Sequence, residues 1–225
     1  MKVCIIGNGL VSLTLANVLS QKNLFVDIIT TKKSNNYNQF RTLGISKSNI
    51  DFFNKEILNI KKILWEIRCI KIFTEKDYKK EILTFDNKDK EIFSIIKNHE
   101  LQKILINKLK KNRFIKFRKN FKISNDNKQG YKLIVNCDSS HPYTKKFFSK
   151  KIEKDYDSYA LTTIITHSKL KNNIAYQNFT KKGPLAFLPI SEVETSVVYS
   201  LKSFKNKDYS KINDLIKKYN PIYKI

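Results

Sequence analysis

The start of the chain combines two short apolar runs with a stretch of helical spacing between them. Residues 2–6 form a largely apolar run that ends at Gly7, which is typical of a strand buried on both faces of a parallel sheet. Apolar residues then recur at helical spacing from Leu10 to about Lys22, and residues 25–29 are again a predicted strand. This order predicts a β-turn-α-β unit.

Two further helices are predicted in the first half of the chain. Residues 46–58 and residues 98–111 each place their apolar side chains on one face. Ser46 or Ser48 is a candidate N-cap for the first of them. The positions that define the two faces are Ile50, Phe53 and Ile57 in the first helix, and Leu101, Leu105 and Leu109 with the neighbouring Ile104 in the second.

The second half of the chain is dominated by strands. Residues 114–123 and 131–137 are predicted strands joined by a polar turn at residues 125–130. Four more strands and a last helix follow, at residues 159–166, 175–179, 185–190, 196–201 and 209–219. Strands without intervening helices indicate a separate, largely antiparallel layer. We therefore expect an α/β protein with two domains, residues 1–157 and residues 158–225.

The strong positive charge does not by itself indicate a nucleic-acid partner. The chain has 44 Lys and Arg against 20 Asp and Glu, for a net charge of +24. Only four of the 44 are arginine, whereas nucleic-acid binders cluster arginines for phosphate and base contacts. We expect no specific nucleic acid. A polyanion-binding protein stays open as an alternative, which a steep salt dependence of binding would reveal.

Cysteine and histidine patterns exclude several kinds of site. Cys4, Cys69 and Cys137 lie far apart and form no CxxC pair, so neither a zinc site nor a disulfide framework is indicated, and a reducing compartment is expected. The three histidines are isolated, and we expect each at the surface or at a cap. The apolar stretch at residues 3–19 is interrupted by polar residues, and no other run approaches the ~20 residues of a membrane span.

The strongest chemical signal is the turn between the first strand and the first helix. It reads Gly7-Asn8-Gly9-Leu10-Val11-Ser12. Gly7 permits a tight turn, Gly9 allows backbone to approach a pyrophosphate, and the helix N-terminus attracts that anion. The third small position is Ser12. The acidic residue that binds an adenosine ribose is replaced at the end of the second strand by Thr30 and its neighbours.

Three further segments resemble one family in the same order along the chain. Arg41-Thr-Leu-Gly-Ile-Ser-Lys-Ser48 resembles the R-x-x-A-L-S-x-S segment of flavin-dependent ubiquinone-biosynthesis hydroxylases, which are para-hydroxybenzoate hydroxylase-like monooxygenases. Asn98-His-Glu-Leu-Gln102 is similar to the start of their helix that carries Leu-Gln toward the flavin. Phe179 to Pro189 resembles their F-x-x-x-G-P-x-A-x-L-P stretch, which is the most specific of the three.

The resemblance implies a fold, a cofactor and a reaction. The fold would be a Rossmann-like FAD-binding domain with a mostly antiparallel β-sheet substrate domain. The reaction would use FAD, NAD(P)H and O2 to hydroxylate the aromatic ring of a polyprenylated phenol. The cofactor-binding residues it implies are Gly7, Gly9, Leu10, Ser12, Thr30, Arg41, Gln102 and Asp138, and the substrate-domain motif comprises Gly183, Pro184, Leu188 and Pro189. No catalytic side chain and no metal ligand are assigned.

Departures from the family pattern leave a second function open. Asp138 of the family's A-D-G-A-N-S-x-V-R turn is present, but Ser139 replaces its Gly and Lys145 replaces its Arg. Ser139 would be strained if that position needed a positive φ. The resemblance also implies that the C-terminal part of the family fold is missing after Ile225, so that residues 1–225 would hold little flavin. The alternative is a non-catalytic FAD- or nucleotide-binding remnant, or a subunit of a split flavoprotein.

The implied substrate also predicts where the protein acts. A polyprenylated phenol lies in the bilayer, and a Lys-rich surface is attracted to anionic headgroups. We expect a cytoplasmic protein that associates peripherally with the inner face of the membrane and works beside other ubiquinone-biosynthesis enzymes.

Overall fold

The computed structural model describes residues 1–30, 39–77, 80–87, 90–119, 130–147, 152, 154–202 and 210–225. The chain divides into two compact units. The first contains residues 1–38, 52–60 and 99–153, and the second contains residues 39–51, 61–98 and 154–225. The predicted domains are continuous in sequence, whereas these units are interleaved.

Five α-helices and thirteen strands lie within the described ranges. In chain order they are β1 (Lys2–Ile6), α1 (Leu10–Gln21), β2 (Phe25–Thr30), β3 (Thr42–Ile45), α2 (Lys47–Phe52), β4 (Trp65–Ile67), β5 (Cys69–Thr74), β6 (Leu83–Asp86), β7 (Phe93–Lys97), α3 (Asn98–Lys110), β8 (Ile115–Lys119), β9 (Leu133–Asn136), α4 (Pro142–Phe147), β10 (Ser158–Thr166), β11 (Ile174–Thr180), β12 (Gly183–Pro189), β13 (Glu194–Lys202) and α5 (Ser210–Tyr219). A π-helical turn, Phe53–Ile57, continues α2, and a 3₁₀ turn covers Lys61–Ile63.

The first unit is built on a parallel four-stranded sheet in the order β8-β2-β1-β9. Each neighbouring pair is parallel, and Ile6 lies opposite Ile29 in the central pair. β1 is buried from Val3 to Ile6, which explains its unbroken apolar run. α1 packs against β1 and β2 and connects them, as the β-turn-α-β prediction requires. The predicted stripe of Leu101, Leu105 and Leu109 on α3 is also buried.

The second unit contains two sheets. The larger has the order β10-β13-β12-β11-β5-β6, in which every neighbouring pair is antiparallel except β11 with β5. The smaller has the antiparallel order β3-β7-β4. α5 packs Ile216 and Tyr219 against Leu185, Phe187 and other buried side chains on one face of the larger sheet. The predicted antiparallel layer is therefore present, and the α/β fold class is confirmed.

Several predicted boundaries are corrected by the structure. The helix predicted over residues 46–58 is an α-helix only over Lys47–Phe52, and its N-cap is Ser46, whose Oγ accepts from the Asn49 N–H at 3.4 Å. The strand predicted over residues 114–123 ends at Lys119 among the described residues, and most of the predicted turn at 125–130 lies outside them. No helix in the described ranges is long and apolar enough to cross a membrane.

Candidate functional site

Gly7 occupies a backbone conformation that other residues rarely adopt. Its φ is +107°, and its N–H donates to the carbonyl of Ile29 at 2.8 Å. A Cβ at this position would lie 3.2 Å from the Ser12 Oγ and 3.5 Å from the backbone nitrogen of Asp138. The tight turn predicted from the sequence is therefore real, and it needs glycine both for its φ and for its space.

Gly9 is needed for a different reason, since its backbone is ordinary. It is the N-cap residue of α1, with φ −73° and ψ 176°, and a Cβ placed on it would meet no atom within 4 Å. Neither a side-chain cap nor an acidic residue occupies the first turn of α1. The first N–H groups of the helix and its positive dipole end thus face an open space that a side chain would fill.

Two polar side chains from separate elements support this turn. Gln102 on α3 is buried, and its Nε2 donates to the carbonyl of Asn8 at 2.9 Å. Ser12 on α1 is also buried, and no residue that the structure describes hydrogen-bonds its hydroxyl. The structure therefore brings Gln102 and Ser12 to the glycine turn, with Leu10 beginning the helix between them.

Asp138 adjoins the same turn and organises its own. Its Oδ1 accepts from the N–H of Ser140 at 2.9 Å and from the hydroxyl of Ser140 at 2.6 Å. Its carbonyl accepts from the N–H of His141 at 3.0 Å at the start of α4. Among the described residues only Asn23 and Asp157 are non-glycine residues with a positive φ, so Ser139 is free of the strain that a left-handed position would impose.

The end of β2 carries Thr30, and a buried acid lies three residues before it. Thr30 is the last residue of β2 and pairs with Lys119 of β8. Asp27 is 2% exposed, and its Oδ2 accepts from the Tyr131 hydroxyl at 2.6 Å. That oxygen also lies 3.1 Å from the Lys2 Nζ and 3.2 Å from the Arg118 Nε. Asp27 is committed to this cluster, so it does not replace the missing ribose acid.

The Asp27 cluster shifts the ionisation of its members. Burial alone would raise the pKa of Asp27, but hydrogen bonds from Tyr131 and Lys2 outweigh it and leave the pKa below its usual range. Burial raises the pKa of the Cys4 thiol to about 12, with a contribution from the Asp27 charge. Cys4 is therefore an unreactive thiol at neutral pH. Asp27 is the only acidic residue in the otherwise apolar sequence of residues 25–29, and this was the sequence signal that could have revealed the Asp27 cluster.

The other predicted residues belong to the second unit. Arg41 is exposed, precedes β3 and accepts from the N–H of Asn98 at 3.0 Å through its carbonyl. Its predicted contact with the same cofactor stays a prediction. Gly183 has φ +140°, and a Cβ on it would overlap the Ser200 carbonyl. Pro184, Leu188 and Pro189 follow it in β12, where Leu188 contributes to a cluster with Ile67 and Ile95.

The histidines occupy three different environments. His141 accepts from the N–H of Tyr143 at 3.2 Å through its Nδ1, which matches the predicted cap. His167 is buried, and so the surface prediction is wrong for it. It hydrogen-bonds the Ser168 carbonyl at 2.9 Å and the Thr195 hydroxyl at 3.0 Å. The Nδ1 of His99 is buried, and no described residue hydrogen-bonds it.

These features define a class of fold, and comparison with solved structures identifies it. PqsL of Pseudomonas aeruginosa, a probable FAD-dependent monooxygenase, matches with a TM-score of 0.70 at 12% identity, over 96% of this chain and 63% of that one. The p-nitrophenol 4-monooxygenase PnpA of Pseudomonas putida DLL-E4 matches with a TM-score of 0.74 at 12% identity, over 99% of this chain and 62% of that one. The chain has the fold of FAD-dependent monooxygenases.

Two further comparisons refine this likeness. A variant of HpxO from Klebsiella pneumoniae, complexed with FAD, matches with a TM-score of 0.73 at 12% identity, over 98% of this chain and 63% of that one. The mitochondrial ubiquinone biosynthesis monooxygenase COQ6 of Danio rerio is 31% identical over 71 residues, which are 31% of this chain and 15% of that protein. No protein-family model matches the chain. The chain spans less than two thirds of the length of each of these proteins.

Proposed function

We propose that the protein is an FAD-dependent monooxygenase that hydroxylates an aromatic ring. The observation that carries the proposal is the open space in front of Gly9, at an uncapped helix N-terminus. A dinucleotide pyrophosphate needs backbone N–H donors and no side chain in its way, and this turn offers both. The likeness of fold to FAD-dependent monooxygenases supports FAD as that dinucleotide.

The described residues fit the cofactor in three respects. Gly9 and Leu10 would receive the pyrophosphate at the helix N-terminus, and Gly7 maintains the turn that presents it. Gln102 fixes the carbonyl of Asn8, so that the turn is held before any ligand arrives. Ser12 offers a buried hydroxyl without a described partner beneath the turn. Arg41, Thr30 and Asp138 remain proposed contacts.

The division of work between cofactor and chain follows from this. When bound, the flavin supplies the oxygen chemistry, which side chains alone do not provide. The residues of the chain bind and orient: the glycine turn anchors the pyrophosphate, and the sheet that carries Pro184 and Leu188 would position the ring to be hydroxylated. No general acid or base is required of a particular side chain in this scheme.

The narrower assignment is hydroxylation of a polyprenylated phenol in ubiquinone biosynthesis with NAD(P)H as reductant. The short match to COQ6 supports it, because that protein is a ubiquinone biosynthesis monooxygenase. The segment from Phe179 to Pro189 supports it as well, since it resembles the F-x-x-x-G-P-x-A-x-L-P stretch of that family. A substrate in the bilayer would also suit the net charge of +24.

The glycine turn provides the test of the cofactor assignment. We expect Gly9→Val to lower FAD affinity about tenfold or more, because the new side chain would fill the space needed by the pyrophosphate. The backbone at φ −73° and ψ 176° accepts valine, so the variant should fold. Quenching of flavin fluorescence during titration with FAD measures the affinity.

Gly44→Ala is the matched control. A Cβ at Gly44 would make ordinary contacts of 3.5 Å with the Phe93 ring, so this variant should bind FAD like the parent. Equal affinity of the parent and Gly9→Val would remove the assignment of the turn. Weak but saturable FAD binding by the parent is compatible with the little flavin expected of residues 1–225, whereas the absence of any saturable binding would contradict the proposed function itself.

A further inference from the structure

The second unit contains a cavity that is not lined by any of the residues assigned above to the cofactor or to the substrate-domain motif. Its volume is about 640 Å³, within the range of small-molecule sites. It lies between β5, β11 and the C-terminal end of α5. The residues that line it are Lys71, Phe73, Glu81, Tyr176, Asn178, Tyr219, Asn220, Pro221 and Ile222.

The cavity lies on the face of the sheet opposite Pro184 and Leu188, two residues of the predicted substrate-domain motif. Tyr176 pairs with Phe187 and Asn178 pairs with Leu185, so these side chains share the face that α5 covers. Side chains alternate between the faces of a strand, and Pro184 and Leu188 therefore point to the other face. The cavity is thus a separate site within the second unit.

Aromatic rings form much of the cavity wall. The rings of Phe73 and Tyr176 are stacked, with centroids 6.4 Å apart and an interplanar angle of 25°. Tyr176 and Tyr219 are 7% and 3% exposed, so these walls are fixed by the core. An aromatic ligand could extend the stack, which adds to the free energy gained from burying its ring.

The polar groups in the wall suit an uncharged ligand. The Lys71 Nζ lies 2.9 Å from a carboxylate oxygen of Glu81, and the pair leaves no net charge at the mouth. Asn178 is only 3% exposed, and it is one of the residues that line the cavity. Its side-chain amide carries both an N–H donor and a carbonyl acceptor, so a ligand that accepts from the one and donates to the other would be favoured.

We propose that this cavity binds a neutral phenol-bearing small molecule. The phenol ring would pack beside Phe73 and Tyr176, and its hydroxyl would both donate to and accept from the amide of Asn178. The proposal does not rest on the flavin assignment, because it concerns the other face of the sheet. It predicts a second ligand site, independent of the glycine turn.

Phenol itself is the probe, with toluene as the ring without a hydroxyl and cyclohexanol as the hydroxyl without an aromatic ring. Binding is followed by chemical-shift changes in the isotope-labelled protein. We expect phenol to bind at least tenfold more tightly than either analogue and to shift resonances of Phe73, Tyr176 and Asn178. Equal binding of phenol and toluene, or shifts confined to other residues, would overturn the proposal.

Variants of one strand complete the test. Asn178→Leu should weaken phenol binding about tenfold and leave toluene binding unchanged, because only the hydroxyl loses its partner. Gln177→Leu is the matched control, since it makes the same change on the opposite face of β11. If Asn178→Leu fails to fold, Asn178→Ala is used in its place, since it also removes both the acceptor and the N–H donor. Unchanged phenol affinity in the folded Asn178 variant would contradict the site.

Discussion

At the scale of single residues, similar sequence signals have different physical causes. Gly7 needs its positive φ and leaves only tight space for a Cβ, whereas Gly9 has an ordinary backbone and faces open space. Sequence reasoning predicted both positions, because the glycine pattern between a strand and a helix is local. It did not predict the partners of Asp27, which come from strands and segments about 25 and 90 residues away in the chain.

The Asp27 cluster makes a prediction about pH. Asp27→Asn should lower the free energy of unfolding at pH 7 by about 1–3 kcal/mol, because Lys2, Arg118 and Tyr131 lose a charged acceptor. The folded-state pKa of Asp27 is lowered, so its contribution is present above the unfolded pKa of about 4 and is lost as pH falls through the folded pKa. The difference between parent and variant should therefore shrink in acid.

Urea unfolding of both proteins between pH 7 and pH 3 measures this difference. Asp51→Asn changes an exposed carboxylate on α2 and serves as the control, with a small effect at every pH. A difference between parent and Asp27→Asn that is constant over the pH range would show that the charge of Asp27 is not responsible.

At the scale of elements, the sequence predicted the helices and strands whose apolar residues recur at a regular spacing. Some elements keep a regular pattern of buried positions along their length, so a short stretch of sequence is enough to predict them. These elements are α1, α3, β1 and β2. β4 has three residues, and β6 is exposed at each of its four positions, so neither carries a pattern that separates it from a loop. β5 is half-buried throughout, which removes the alternation that marks a strand.

The hairpin of β11 and β12 carries the next prediction. Gly183→Ala should lower the free energy of unfolding by roughly 2–4 kcal/mol, because its φ of +140° strains alanine and its Cβ overlaps the Ser200 carbonyl. Gly44→Ala should change it by less than about 1 kcal/mol, since its Cβ meets only the Phe93 ring at 3.5 Å. Thermal unfolding of the two variants and the parent provides the measurement. Equal stability of the two variants would mean that Gly183 is not required by the sheet.

At the scale of the whole molecule, the sequence predicted the fold class but not the interleaving of the compact units. Residues 39–51 and 61–98 come before the last segment of the first unit, residues 99–153. They nevertheless belong to the second unit, together with residues 154–225. Their strand pairings, such as β5 with β11, join positions about a hundred residues apart and leave no local signal. The predicted cofactor residues are consequently divided, with Arg41 in the second unit and the glycine turn in the first.

The charge of the whole molecule makes the last prediction. With a net charge of +24, the protein should sediment with vesicles that contain phosphatidylglycerol, because each Lys or Arg near an anionic surface contributes roughly 1 kcal/mol. Added salt should release it, since screening shortens the range of these contacts. Vesicles of phosphatidylcholine alone are the control and should not retain it at any salt concentration. A short DNA duplex, added in an amount that carries the same total charge as the vesicles, serves as a competitor. It should displace a general polyanion binder from the vesicles. It should not displace a protein whose apolar surface also contacts lipid. Sedimentation that is indifferent to lipid charge would contradict the proposed peripheral association and leave the Lys-rich surface without a membrane role.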